Sequence, residues 1–141
     1  MTLEIKHFSE LSKLELYEML KLRNEVFVVE QKCYYQDCDG HDLDAHHLLC
    51  YDDELVGYLR ILKPGVTYDE ASIGRVVVKE THRSHKVGKK IMVAAIEYLE
   101  PPIRISAQEY LLSFYKSLGF VQVSEMYLED DIPHVEMLLE K

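Results

Sequence analysis

The sequence predicts a mixed α/β (α+β) fold in which helices flank one central sheet. Two patterns point there. Segments with apolar residues at helical spacing are interleaved with short β-branched or alternating runs. No repeat, low-complexity tract or linker-like stretch divides the 141 residues, so residues 3–141 read as one domain, long enough to bury a core without disulfides or metals.

The elements follow in order. Residues 12–30 read as a helix: Ser12 and Glu15 have capping-box spacing, and Leu16, Met19, Leu20 and Phe27 share one helical stripe. Residues 33–46, CYYQDCDGHDLDAH, are polar, acidic and turn-rich, and read as a loop. HLLCY and LVGYLRIL flank DDE and predict a hairpin, KPGVTYDEAS a second loop, and IGRVVV a strand. A helix over residues 87–99 is stopped by Pro101 and Pro102. IRISA is a short strand, and EYLLSFYKSL a helix closed by Gly119 at the position after its C-cap. FVQVSEMYL begins in strict alternation, and HVEMLL closes the chain as a last strand.

Composition excludes several classes. With 48% hydrophobic and 29% charged residues the chain has ordinary globular proportions. A formal charge of −9 argues against nucleic-acid binding, which needs a broad basic face. No charged leader with an apolar stretch opens the chain, and no run approaches the roughly 18 apolar residues of a membrane span. The protein therefore reads as cytoplasmic, with no membrane partner. Three cysteines cannot all pair, and cytosolic thiols are normally reduced.

Against this acidity, VVVKETHRSHKVGKKIM (residues 76–92) places four of the sixteen Lys and Arg residues, and no acid, from His82 to Lys90 between a strand and a helix. A strand–turn–helix step points unpaired helical N–H groups outward, and the helix dipole adds positive character, so the site favours phosphate. Gly88 would let a ligand approach the backbone, and Arg83, Lys86, Lys89 and Lys90 could add charge. The Walker and Rossmann glycine patterns are both absent. From the turn alone, a phosphate cradle and a solvated basic helix start remain equally open.

The stretch VKETHRSHKVGKKIM resembles the acetyl-CoA signature of the GNAT acetyltransferases, R/Q-x-x-G-x-G/A after a strand, with Arg83 and Gly88 at its first and last positions. Lys86 stands at the middle glycine. LRNEVFVVEQ, AQEYLLSFYKSLGF and EDDIPHVEM are similar to segments of the ElaA-like branch, so the resemblance extends over most of the chain. It implies the GNAT acyl-CoA N-acyltransferase fold, a mixed, mostly antiparallel sheet flanked by helices. It also implies acetyl-CoA as co-substrate, with no metal. The backbone of Val76, Val77 and Val78 would meet the pantetheine arm, unless these valines only build a buried strand. The turn Arg83, Ser84, His85, Lys86, Val87, Gly88 and Lys89 would hold pyrophosphate through main-chain N–H groups.

A second family pattern, N-x-x-A-x-x-h-Y-x-x-x-G-F, is matched with Gln108 at the Asn, the bulkier Leu111 at the Ala and Tyr115 at the Tyr. Gln108 would reach the pantetheine, and Tyr115 would serve as general acid toward the departing thiolate, although its apolar surroundings also suit a core tyrosine. For the base, His134 is a candidate because imidazole exchanges protons near neutrality. Glu30 and Glu109 are carboxylate alternatives. The implied function is acetyl transfer to a primary amine, either a small molecule or a peptide lysine or N-terminus. A non-catalytic acyl-CoA sensor is the alternative. The oligomeric state is open, with a homodimer as one candidate.

Cys33, Cys38, His41, His46 and His47 crowd one segment, but their spacing is irregular and leaves a metal-dependent interaction module a lesser alternative. DCDGHD fails as a calcium loop, since its glycine is misplaced and no Glu follows at the twelfth position. Cys50 reads as core. Asp37, Asp39, Asp42 and Asp44, with Glu129, Asp130 and Asp131, are either solvated or wall an acceptor site favouring a cation.

Overall fold

The computed structural model describes residues 1–140, apart from the side chains of Ser84 and His85. The predicted hairpin is its centre: β2 (His46–Asp52) and β3 (Glu54–Leu62) pair antiparallel through a turn at Asp53, whose φ is 66°. Along β2 the side chains alternate in destination. Leu48 and Cys50 enter one core and Leu49 another, as a two-sided buried strand requires. Outward from this hairpin lies β1 (Thr2–His7), a strand the sequence reading did not include. Its first three residues are exposed at the sheet edge, so no buried alternation marks it.

On the other side come β4 (Ala71–Val78), β5 (Ile103–Gln108), β6 (Val121–Gln122), β7 (Tyr127–Glu129) and β8 (Ile132–Leu139). The sheet order is β1-β2-β3-β4-β5-β8-β6, with β7 also on β8. Every pairing is antiparallel except β4 with β5. The mixed, mostly antiparallel sheet expected from the resemblance is present. The single strand expected over FVQVSEMYL is instead two, because Ser124 interrupts its ladder: the Glu136 N–H donates to Ser124 Oγ (2.8 Å) while Val123 N–H donates to the Glu136 carbonyl (2.9 Å).

Helix α1 (Lys13–Arg23) starts at the predicted capping box, with Glu15 N–H donating to Ser12 Oγ (3.0 Å) and Ser12 N–H to Glu15 Oε1 (2.8 Å). The helix expected to reach residue 30 widens at residue 24 into a π-helical turn, Asn24–Glu30, which puts the neighbouring Val26 and Phe27 both in the core. Helix α2 (Val87–Leu99) and helix α3 (Leu112–Ser117), which a 3-10 turn at Glu109–Leu111 precedes, lie on the opposite face. Gly57 on β3 lets α2 close onto the sheet, since a Cβ there would fall 2.7 Å from Val87 Cγ1. None of the helices among the described residues is long and apolar enough to cross a membrane.

The acidic loop after the π turn is pinned by three arginines. Arg23 (0% exposed) donates to Asp37 Oδ2 and Asp42 Oδ1, each at 2.8 Å. Arg60 (4% exposed) reaches Asp39 at 2.8 and 2.9 Å and Asp42 at 3.1 Å, and Arg75 lies 2.9 Å from Asp37 and 3.2 Å from Asp39. His47 Nε2–H donates to the Asp42 carbonyl (3.0 Å), so in the neutral ring Nδ1 is the acceptor facing the Tyr58 hydroxyl (2.5 Å). Burial lowers the His47 pKa. For Asp39 and Asp42 burial acts upward, but the ion pairs with Arg60 and Arg23 outweigh it and hold both carboxyls below their ordinary range.

Three outcomes follow. Asp42→Ala removes a carboxylate shared by two buried guanidinium groups, leaving Arg23 with Asp37 and Arg60 with Asp39, and should cost about 1–3 kcal/mol in urea unfolding. All three shifted groups lie below their unfolded pKa values, so their stabilisation is full above those values and lost as pH falls. Stability should therefore begin to decline below about pH 6.5 through His47 and fall further below about pH 4 through the aspartates, with His47→Gln flattening the first stage. Finally, Lys86 caps α2 at φ 59°, the left-handed region that explains a glycine at this place in the family pattern. Lys86→Gly should raise stability by up to about 1 kcal/mol, the relieved strain being partly offset by chain entropy.

Candidate active site

The sheet divides at its parallel pair. Strands β4 and β5 are in register only at Ala71–Ile103 and Ser72–Arg104. Beyond these, β5 continues with β8, while β4 bulges: Arg75 and Val76 together oppose Leu59, and Arg75 takes a φ of 51°. One edge of β4 is thus left without a strand partner. The gap forms a cleft of about 220 Å³ that runs through the sheet, lined by Phe27 and Gln31 from one face and by Met92, Leu111 and Tyr115 from the other.

At the open end of β4 the chain turns into α2. Its first intrahelical bond is Lys90 N–H to the Lys86 carbonyl (3.1 Å), so the N–H groups of Val87, Gly88 and Lys89 have no partner within the helix. Val87 is fully buried, and Lys86, Lys89 and Lys90 are exposed around it. A Cβ on Gly88 would point at Phe114 (3.6 Å) and Val78 (3.8 Å). Alanine would fit there.

The site residues expected from the sequence do not all meet. Val76, Gln108, Tyr115 and His134 line the cleft. Val77 joins the core under α1, and Val78 packs toward α2. Ser84 and His85 have side chains outside the described residues. Arg83, expected beside pyrophosphate, gives its guanidinium to Glu30 in a bidentate pair (2.6 and 2.7 Å), with Nε donating to the Val78 carbonyl (3.2 Å). That pair holds the Glu30 carboxyl below its ordinary value, which weakens it as a proton acceptor. Glu109 is exposed and outside the cleft wall.

Tyr115 is 5% exposed, set edge-on against Phe114 and Phe120, and burial raises its phenol pKa. Its hydroxyl has no hydrogen-bond partner among the described residues. His134 is 6% exposed. Its Nδ1 lies 2.7 Å from the Ile132 carbonyl and must donate there, so the neutral ring carries its lone pair on Nε2, 3.7 Å from Glu129.

The sequence reading missed Gln31, Ser106 and Tyr127. Gln31 accepts from Gln108 (3.2 Å), and Ser106 is hydrogen-bonded to Tyr127, which stacks on His134. Period-two alternation along IRISA placed Ser106 off the core, but nothing local linked it to Tyr127. Asp37, Asp39 and Asp42 are taken up by arginines and Asp44 is exposed away from the cleft wall, whose acids are Glu129 and Asp130. Asp130 reinforces burial in raising the Cys33 thiol. Among the described residues no three His, Cys, Asp or Glu side chains are placed to hold a metal ion.

Residues 10–141 match the family described as acetyltransferase (GNAT) domain. Protein ElaA of Escherichia coli K12 is 47% identical over 142 residues, covering 95% of this chain and 93% of ElaA. The crystal structure of Escherichia coli ElaA has a TM-score of 0.91 at 45% identity and covers 99% of both chains. An acyl-CoA N-acyltransferase from Pseudomonas aeruginosa gives 0.87 at 45% identity, covering 98% of this chain and 99% of its own. With a sheet split at its one parallel pair and similarity along nearly its whole length, the chain belongs to the GNAT acetyltransferase family.

Proposed function

We propose that this chain moves an acetyl group from acetyl-CoA to a primary amine, with both held in the cleft at once. The observation carrying this reading is the unpartnered edge of β4, which opens onto the same cleft as Tyr115 and His134. Pantetheine has peptide-like amides, which suits it to pair with a free strand edge as an added strand would. The main chain from Arg83 to Lys89 receives the pyrophosphate at the start of α2, with Lys86 and Lys89 adding charge. Gln108 turns its amide to the pantetheine.

Acetyl-CoA supplies an acetyl group already activated as a thioester. The protein must then remove a proton from the amine and ease the departure of the thiolate. His134 accepts the proton at Nε2, and Glu129 stabilises the imidazolium that results. Tyr115 donates a hydrogen bond to the sulfur. Its phenol, held above the ordinary value of about 10, binds its proton more tightly than a thiol near 8.5, so it stabilises the thiolate without fully protonating it. Glu129 and Asp130 give the acceptor side a negative field that attracts an amine in its ammonium form.

Calorimetry should register acetyl-CoA binding to the wild-type protein, and its absence would sink this reading. Binding without turnover across an amine panel would reassign the chain as an acyl-CoA sensor. In an active preparation, Tyr115→Phe should lower kcat about 10²-fold with little change in KM for acetyl-CoA. His134→Gln should lower kcat about 10²-fold or more.

A further inference from the structure

Resting on that reading, we infer that Glu30 and Gln31 are positioning residues that tie the two lips of the cleft together, and that the Arg83 side chain serves this tie and not the pyrophosphate. The two residues are adjacent, at the end of the π-helical turn and its cap. Glu30 holds Arg83 through two bonds of 2.6 and 2.7 Å, and Arg83 in turn donates to the Val78 carbonyl (3.2 Å), the last residue of β4. Gln31 accepts from Gln108 (3.2 Å), the last residue of β5. One dipeptide therefore joins the far ends of two strands whose own pairing stops at Ser72 and Arg104.

The dipeptide is itself anchored. Gln31 N–H donates to the Val26 carbonyl and Cys33 N–H to the Phe27 carbonyl, each at 2.9 Å, and Val26 and Phe27 are buried under the sheet. The position of the tie is thus set by the core and not by solvent-exposed side chains alone. Its contribution to overall stability is small, because the Arg83–Glu30 pair is partly exposed, and such pairs add about 0–1 kcal/mol. Bidentate geometry still fixes direction and distance. What the pair can do is hold the end of β4 at a set distance from the end of β5, along the gap where the pantetheine arm would lie. It also neutralises Arg83, leaving the main-chain N–H groups and Lys86 and Lys89 to meet the phosphates.

Charge reversal separates the two roles of Arg83. Glu30→Arg and Arg83→Glu should each raise KM for acetyl-CoA about tenfold, with the unfolding midpoint nearly unchanged. The double variant, which restores the pair with its signs exchanged, should recover to within about threefold of wild type. If Arg83→Glu alone weakens acetyl-CoA and the double variant does not recover, Arg83 is a phosphate ligand and the inference is wrong. Unchanged KM in both single variants would equally overturn it. Should a reversal fail to fold, Glu30→Gln and Gln31→Leu test the two ties separately, each with KM raised and kcat less affected. A wild-type protein that binds no acetyl-CoA at all would instead remove the acetyltransferase reading, and this inference with it.

Discussion

Two residue pairs, Ala71–Ile103 and Ser72–Arg104, are all that joins the halves of the sheet directly. Had β4 and β5 stayed in register along their length, no cleft would exist and the backbone of β4 would be fully paired. The divergence has identifiable causes. An extra residue in β4 opposite Leu59 bends that strand away, and β5 finds its continuing partner in β8, with which it pairs over its entire length. Backbone groups left over by this exchange are what the family can use to hold a peptide-like arm.

An opened sheet needs holding, and the arginines supply much of it. Arg60 on β3 and Arg75 in the bulge of β4 both reach into the 33–44 loop, and Arg23 reaches it from α1. Arg75 also lies over the Tyr35 ring, 5.0 Å from its centroid. The left-handed residue at the bulge is therefore fixed at its backbone and at its guanidinium by different partners. Buried ion pairs seldom add net stability over apolar packing. Here they make one loop, one helix and two strands depend on the same carboxylates, and so specify the shape of the cleft wall.

Local chemistry made much of the fold legible. The Ser12–Glu15 box, the stop after Leu99 and the glycine after α3, at φ 101°, appear where sequence places them, because each depends on residues a few positions apart. What escaped depends on distance. The π turn continues the apolar helical stripe of α1 in sequence, and only the structure shows that the neighbouring Val26 and Phe27 are buried together. The acidic loop could be read only as solvated or as an acceptor wall, since Arg60 and Arg75 lie 21 and 36 residues from Asp39. The Arg83–Glu30 pair was hidden because its partners lie 53 residues apart in different elements. Tyr115 and His134 were found through family pattern and residue type; their shared cleft is a tertiary fact.

The placement of those two groups bears on how protons would balance during transfer. An alkyl amine arrives charged and must shed a proton, while a thiolate leaves needing one. Tyr115 lies on the α3 side of the sheet and His134 on β8, with the gap between β4 and β5 running from one to the other. A phenol made less acidic by burial can offer its hydrogen but not readily surrender it. On the proposed reading, the proton taken at His134 Nε2 is then the mobile one, held beside Glu129 until solvent or the departing thiolate takes it. On that reading the environment divides the labour: apolar rings surround the hydroxyl that would stay a donor, while Nε2 of His134 opens toward the Glu129 carboxylate.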